Sequence, residues 1–253
     1  MGALLEARNV VKHYGSVEAL RGASFEVRAG EVVALIGDNG AGKSTLVKCL
    51  SGVEQPDSGE ILLDGRRVRL DSPTRARALG IETVYQDLAV APDLDPAANL
   101  FLGRELRRRG LFGWLGMVDK AEMRRRAAEQ FQRLGVRVQS LDVPIGSLSG
   151  GQRQGVAVTR AVVWANRVVF MDEPTAALGV VQRERVLEVI RRVRDSGIAV
   201  VLISHNMPEV QAVADRVEVL RLGRRVARFR AADVTLEELV GAMTGALHQE
   251  DAA

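Results

Sequence analysis

Cysteine occurs once in the 253 residues, at Cys49, so no internal disulfide can form and the chain suits a reducing compartment. Set within an apolar helical stretch, Cys49 is expected to act as a small buried hydrophobe. Long apolar runs are also missing. The best candidate, Val162 to Met171, is broken by Asn166-Arg167 and falls short of the ~18 residues a bilayer crossing needs. No apolar signal core opens the chain, and Glu6 spoils the acylation pattern begun by Met1-Gly2. The chain is therefore not expected to span a membrane by itself. An excess of one charge is lacking too: 35 basic and 32 acidic residues leave +3, without the broad field that gathers nucleic acid. Lysine supplies only four of the basic residues. Arginine is spread along the whole chain, which reads as codon usage rather than chemistry. Internal repeats and low-complexity linkers are absent.

What is present is an ordinary globular composition, 47% hydrophobic and 26% charged, in a length that suits one large domain or two small lobes. Short β-branched runs recur at Glu31–Ile36, Glu60–Leu63, Ile81–Tyr85, Val168–Met171, Ile198–Ile203 and Val217–Leu220. Three are nearly all apolar, as strands covered on both faces should be. Helical patterns such as Lys120–Leu134 and Val180–Asp195 fall between them, which predicts a mainly parallel sheet. The opening, Leu4 to Val27, alternates and turns like antiparallel strands packed alongside. From about Leu88 to Gly146 no convincing strand appears. That Arg-rich segment is expected to form an α-helical lobe inserted into the α/β core.

Gly37-Asp-Asn-Gly-Ala-Gly-Lys43-Ser44 matches G-x-x-x-x-G-K-[ST], a pattern expected by chance on the order of once per hundred such chains. It follows an apolar strand and opens a helix, as a phosphate-cradling loop requires. The glycines let backbone N–H groups turn inward, Lys43 supplies charge at the β and γ oxygens, and Ser44 suits Mg²⁺. Val168-Val-Phe-Met-Asp172-Glu173 is a buried strand ending in two carboxylates. Such acids are poorly solvated and commonly serve a metal or a proton transfer. Asp172 suits a grip on Mg²⁺ and Glu173 the polarising of an attacking water, although alone the pair could merely cap the next helix. Leu148-Ser149-Gly150-Gly151-Gln152 reads as a helix start: Ser149 is the N-cap, and two glycines leave the first amides bare. By itself it could be a loop. As a second phosphate site, it makes sense if it serves a nucleotide held by a partner chain.

In this order the three motifs resemble the nucleotide-binding subunits of ABC transporters, over nearly the whole chain. The resemblance implies a P-loop NTPase of α/β class, with a mainly parallel sheet core, an antiparallel β subdomain and an inserted α-helical subdomain. The core would span about 1–87 and 147–253, and the helical part about 88–146. ATP contacts would come from Gly37, Asp38, Asn39, Gly40, Ala41, Gly42, Lys43, Ser44 and Thr45, with Tyr14 matching the aromatic that stacks on adenine. Tyr14 could equally be a packing residue. Gln86 matches the glutamine that reaches Mg²⁺ and water and senses the membrane domain. His205 matches the histidine that contacts the γ-phosphate, though a lone histidine at a strand end is usually structural. Glu173, His205 and Gln86 would be the catalytic set, Ser44, Gln86 and Asp172 the Mg²⁺ set.

Asp38-Asn39-Gly-Ala, Asn99-Leu-Phe-Leu-Gly-Arg104, Asp172-Glu-Pro-Thr-Ala-Ala-Leu178-Gly179 and Leu202-Ile-Ser-His-Asn206 resemble the ribose-type monosaccharide importers. Many ABC subunits carry Asp where this chain has Gly179. That loop helps link the two ATP sites, so the glycine puts tight coupling in doubt, yet sugar-importer relatives often share it. The resemblance implies a peripheral subunit on the cytoplasmic face of the cell membrane. Its partners would be a second copy or a paralogous ATPase half, a membrane permease and, indirectly, a sugar-binding protein. Ser149 to Gln152 of one chain would face Lys43 of the other, so a monomer should hydrolyse ATP slowly. Two rivals, an ATPase acting on DNA or ribosomes and an exporter subunit, lack their usual marks here: heptad insertions, paired ATPase domains or fused membrane spans. The arginine runs 107–109 and 124–126 are expected on a solvated helical face.

Overall fold

The computed structural model of the chain describes residues 2–84, 90–108, 110, 114–176 and 178–247. From the N-terminus run β1 (Leu5–Tyr14), β2 (Val17–Val27), β3 (Val32–Ile36), α1 (Lys43–Leu50), β4 (Ser58–Leu63), β5 (Arg66–Val68), α2 (Pro73–Ala78), β6 (Ile81–Val84) and α3 (Pro96–Leu100). Then follow α4 (Lys120–Leu134), α5 (Gly150–Trp164), β7 (Val168–Asp172), α6 (Val180–Asp195), β8 (Ala199–Ile203), α7 (Met207–Val213), β9 (Arg216–Arg221), β10 (Arg224–Arg230) and α8 (Leu236–Thr244). Contacts group the chain into two compact units. One holds residues up to Thr83, Trp164–Glu173 and those from Ile190 onward; the other holds Val84–Val163 and Pro174–Val189.

The first unit contains both sheets. Its six-stranded sheet has the order β10-β9-β3-β8-β7-β6, with β9, β3, β8 and β7 mutually parallel and β10 antiparallel at the edge. The central strands β3 and β8 are apolar and buried at every position because both faces are covered. On one face Val33, Leu35, Phe170 and Val201 join Leu46, Cys49 and Leu50 of α1, so the single cysteine is a buried core residue. Leu5, Leu20 and Phe25 of the antiparallel sheet β2-β1-β4-β5 enter the same cluster, which fuses the two sheets over one core. On the opposite face Ile36, Val217 and Val219 pack on Val210 of α7 and Leu239 of α8. Helix α8 opens with a full capping box between Thr235 and Glu238 and closes on left-handed Gly245.

Strand β10 carries four arginines in seven residues and has no strand-like apolar pattern. Ion pairing explains it. Glu218 is fully buried on β9 and receives Arg216 at 2.6 Å and Arg228 of β10 at 3.1 Å, while Arg216 also reaches Glu31 at 2.8 Å. Burial pushes the Glu218 carboxyl above its ordinary range even so, and the flanking arginines oppose that shift.

In the second unit, α4 buries Met123, Ala127, Phe131 and Leu134 on one face. Asp119 caps it by accepting from the Glu122 amide at 3.1 Å, and left-handed Gly135 ends it. Its outer face carries Arg124, Arg125 and Arg126, exposed and paired with Asp95, Asp142 and Glu122, which is the solvated helical face expected. The other arginine run is solvated as expected, Arg107 and Arg108 being exposed, but it is not helical. Arg107 lies in an isolated antiparallel bridge to Val118, and Arg109 lies outside the described residues. Left-handed Gly103 and Gly110 on either side cannot continue a right-handed helix, and residues 106–108 pair instead with 117–119, the Arg108 amide donating to the Met117 carbonyl at 2.9 Å. Asn99 is fully buried and ties residues 91–95 through its carboxamide, accepting from the Ala91 amide at 2.8 Å and donating to the Ala91 and Leu94 carbonyls. Among the described residues no helix is long and apolar enough to cross a membrane.

Candidate functional site

Strand β3 ends at Ile36, and the chain turns through Gly37 to Gly42 into α1. Two of these glycines are demanded by close backbone approach. A methyl on Gly37 (φ 151°) would collide with the Leu220 carbonyl, and one on Gly42 (φ 101°) would stand 2.8 Å from the Ala19 carbonyl and 2.9 Å from Leu20 Cδ2. The loop therefore leans on β2 and on the β9–β10 turn, where the Gly223 amide donates to the Ala41 carbonyl at 3.0 Å. A methyl on Gly40 (φ 80°) would meet nothing within 4 Å, and Gly40, Asp38 and Asn39 are exposed. Helix α1 begins at Lys43 without a side-chain cap, so its first amides lack the usual partner and suit an anion. Ser44 is exposed and Thr45 half-buried on this first turn. Lys43 Nζ donates to the carbonyls of Gly37 (2.7 Å) and Asp38 (3.0 Å). Partial burial lowers its pKa, against the pull of Glu173, Asp38 and Asp172.

Register brings the acids to the same edge. Leu35 of β3 pairs with Ile203 of β8, and Ile203 pairs with Asp172 of β7. Asp172 thus stands two strands, about 10 Å, from the β3 backbone at the level where the loop departs. Burial raises the Asp172 pKa, and neighbouring Glu173 raises it further while Lys43 opposes both. Glu173 follows in a left-handed conformation (φ 48°), its amide donating to the Ile203 carbonyl at 2.9 Å. A non-glycine residue held there is strained, and such strain clusters at functional positions. One residue past Ser204, His205 places Nδ1 2.7 Å from Glu173 Oε1. These groups gather at the carboxyl end of a parallel sheet, where ligands bind in open α/β folds.

Tyr14 ends β1 on the antiparallel sheet of the same unit. It is 41% exposed, with Lys12 Nζ 5.8 Å from its ring centre. An exposed aromatic face backed by a cation suits stacking on a base. Gln86 lies outside the described residues. Ser149, Gly150, Gly151 and Gln152 stand in the second unit at the start of α5. Ser149 Oγ accepts from the Gln152 amide at 3.3 Å while Gln152 Oε1 accepts from the Ser149 amide at 3.1 Å, a reciprocal cap. A methyl on Gly150 would meet nothing within 4 Å, whereas one on Gly151 would stand 2.5 Å from Gln182 Cγ.

Mg²⁺ takes hard oxygen ligands and is commonly held by one or two carboxylates together with substrate phosphates. A half-buried Asp172 carboxylate and an exposed Ser44 hydroxyl fit that donor set. Among the described residues no cluster of three His, Cys, Asp or Glu side chains exists. One contributor escaped the motif reading: the β9–β10 turn that backs the loop. It acts through backbone contacts, which carry no residue-type signature.

A family model described as "ABC transporter" matches residues 20–176. The fructose import ATP-binding protein FrcA of Rhizobium meliloti is 51% identical over 245 residues, covering 96% of this chain and 94% of that protein. The ribose import ATP-binding protein RbsA 1 of Rubrobacter xylanophilus is 45% identical, covering 97% of this chain and 48% of that protein. Among solved structures, a dimeric post-hydrolysis ATP-binding cassette bound to ADP and phosphate superposes with a TM-score of 0.75 at 23% identity. It covers 91% of this chain and 100% of that one.

Proposed function

The chain belongs to the ABC transporter family, and from that membership we propose that it is the ATP-hydrolysing subunit of a monosaccharide importer. The observation that carries the chemistry is the strand register. It aligns Asp172, Glu173 and His205 with the mouth of the Gly37–Ser44 loop, and Lys43 feels both carboxylates. In this reading the bare amides of α1 and the Lys43 ammonium hold the β- and γ-phosphates, and Tyr14 stacks on the adenine. Asp38, Asn39 and Thr45 complete the loop's contacts. A magnesium ion bound by Ser44, Asp172 and Gln86 would neutralise charge on the phosphate oxygens. Glu173 would accept the proton of the attacking water, and His205, 2.7 Å from Glu173, would contact the γ-phosphate.

The second half of the site comes from another copy of the chain or a paralogous half. Gly150 has open space where its side chain would be, so no contact among the described residues explains a glycine there. A nucleotide held on a facing surface does. The dimeric cassette of the same fold, at a similarity that speaks to fold alone, is compatible with that assembly. Sugar import rests on the fructose and ribose import relatives. A permease would supply the spanning helices, a sugar-binding protein the selectivity, and this subunit would sit on the cytoplasmic face.

Size exclusion tests the assembly. Glu173→Gln keeps the shape while removing the base, so ATP should persist and hold two chains together, whereas the wild type in excess ATP should be mostly monomer. Adding Ser149→Arg should abolish the dimer by filling the facing phosphate position. A Glu173→Gln chain that hydrolyses normally would refute the assigned base, and one that binds ATP yet stays monomeric would refute the sandwich. Uptake of labelled fructose and ribose by cells lacking the gene tests the cargo: unchanged uptake of every monosaccharide tried would refute it.

A further inference from the structure

Strand β1 outlasts its neighbour β4. The two pair from Leu5 with Leu63 to Val11 with Ser58, and Ser58 is where β4 begins. Among the described residues no strand pairs with Lys12–Tyr14 on that side. Asp57, one residue before β4, takes over. Its backbone amide donates to the Val11 carbonyl at 2.9 Å, and its carboxylate then stands where the next strand carbonyl would be, Oδ2 accepting from the His13 amide at 2.6 Å. The same oxygen lies 3.1 Å from His13 Nδ1, and Oδ1 accepts from Lys12 Nζ at 3.2 Å. These donors hold the Asp57 carboxyl below its ordinary range. On the other edge of β1 the ladder with β2 shifts register between Lys12 and His13, so pairing is interrupted there too, just before Tyr14.

Asp57 is itself well anchored. It ends the loop that follows α1, and the Val53 and Glu54 amides tie that loop to the helix by donating to the Lys48 carbonyl at 2.9 and 3.1 Å. Helix α1 in turn is fixed in the core by Leu46, Cys49 and Leu50. Two routes lead from Asp57 to Tyr14. One is the backbone, since His13 is its neighbour. The other is Lys12, whose ammonium is bound by Asp57 and lies 5.8 Å from the centre of the Tyr14 ring. We propose that Asp57 is a positioning residue for base binding: its carboxylate stands in for a missing strand, fixing the His13 backbone and the Lys12 ammonium so that the Tyr14 ring is ordered before a nucleotide arrives. A ring already in place loses less freedom on stacking, and ordering one such side chain beforehand is worth about threefold to tenfold in affinity. The role in base binding rests on the reading that Tyr14 stacks on adenine; the hold of Asp57 on His13 and Lys12 does not.

Isothermal titration with MgADP and with magnesium pyrophosphate separates base from phosphate. Asp57→Ala should weaken ADP about threefold to tenfold and leave pyrophosphate unchanged, which a general loosening of the fold or of the phosphate loop would not do. Asp57→Asn keeps an acceptor for the His13 amide but no charge for Lys12, so its ADP affinity should fall between. The Tyr14→Ala/Asp57→Ala double variant should bind ADP no more weakly than Tyr14→Ala, because no ring is left to position. Equal losses for ADP and pyrophosphate, an Asn variant as weak as the Ala variant, or multiplying effects in the double variant would each overturn the proposal. Without nucleotide, amide exchange at His13 should quicken in Asp57→Ala more than in Asp57→Asn, and exchange as slow in Asp57→Ala as in the wild type would overturn it as well. If exchange responds but Tyr14→Ala binds ADP as tightly as the wild type, the adenine reading fails and takes the role in base binding with it, while the hold on His13 remains. If Tyr14→Ala weakens ADP and Asp57→Ala does not, the adenine reading stands and the proposal fails.

Discussion

Glu173 is held at φ 48° by the Ile203 carbonyl on its amide and by the sheet edge behind it. Replacing it with glycine and with alanine separates strain from chemistry. Both changes delete the carboxylate and the His205 contact, and that contact is with a largely exposed imidazole, so its loss is small and common to the two. They differ in backbone alone. Left-handed conformation costs a residue with a β carbon about 1–2 kcal/mol, which glycine escapes. Glycine in turn loses about 0.4–1 kcal/mol through its freer unfolded chain. The difference leaves Glu173→Gly more stable than Glu173→Ala by about 1 kcal/mol, or about 2–4 °C in melting temperature for a domain of this size. Hydrolysis should fall about 10²–10⁴-fold in both, the usual effect of losing a general base. Differential scanning calorimetry and a coupled phosphate-release assay read the two quantities. Equal melting temperatures would refute the argument that the backbone is strained at this position. Wild-type turnover in either variant would refute the role of the carboxylate.

Gly42→Ala meets the Ala19 carbonyl and Leu20 besides its unfavourable φ, so urea titration should show a loss of about 2–4 kcal/mol. Gly40→Ala, in open space, should lose only about 1 kcal/mol, and similar losses at both would show that the close approach is wrong. Tyr14→Ala should weaken binding of a fluorescent ATP analogue by about 1–3 kcal/mol, and equal affinities would place the adenine elsewhere. Arg216→Ala removes the guanidinium between Glu31 and buried Glu218, and should destabilise the chain by about 3–5 kcal/mol in the same titration; a loss below 1 kcal/mol would mean that Glu218 finds another partner.

Where residue type dictates local geometry, the chain was legible without coordinates. Runs such as Val32–Ile36 and Ala199–Ile203 could only be strands buried on both faces, and Gly-x-x-x-x-Gly-Lys after one of them could only turn sharply into a helix. Ser149 was readable as a cap because a hydroxyl before bare amides has one favourable use, and Cys49 as core because its helix is apolar around it. Strand β10 was not legible: its arginines look solvated until Glu218, buried on the neighbouring strand, appears beside them. The arginine run at 107 misled for the reverse reason, since left-handed glycines override the helical look of its charges.

Sequence alone determined which groups are available for phosphate, metal and proton chemistry, because a carboxylate, an ammonium or an uncapped amide brings its chemistry wherever it is placed. Tertiary structure decided which of them meet. The β3–β8–β7 register sets Asp172 and Glu173 level with the loop mouth, and the turn at Gly223 fixes the back of that loop. Each depends on pairings between segments far apart in the chain, whose alignment is set by the packing of the whole core and by no neighbour in the sequence.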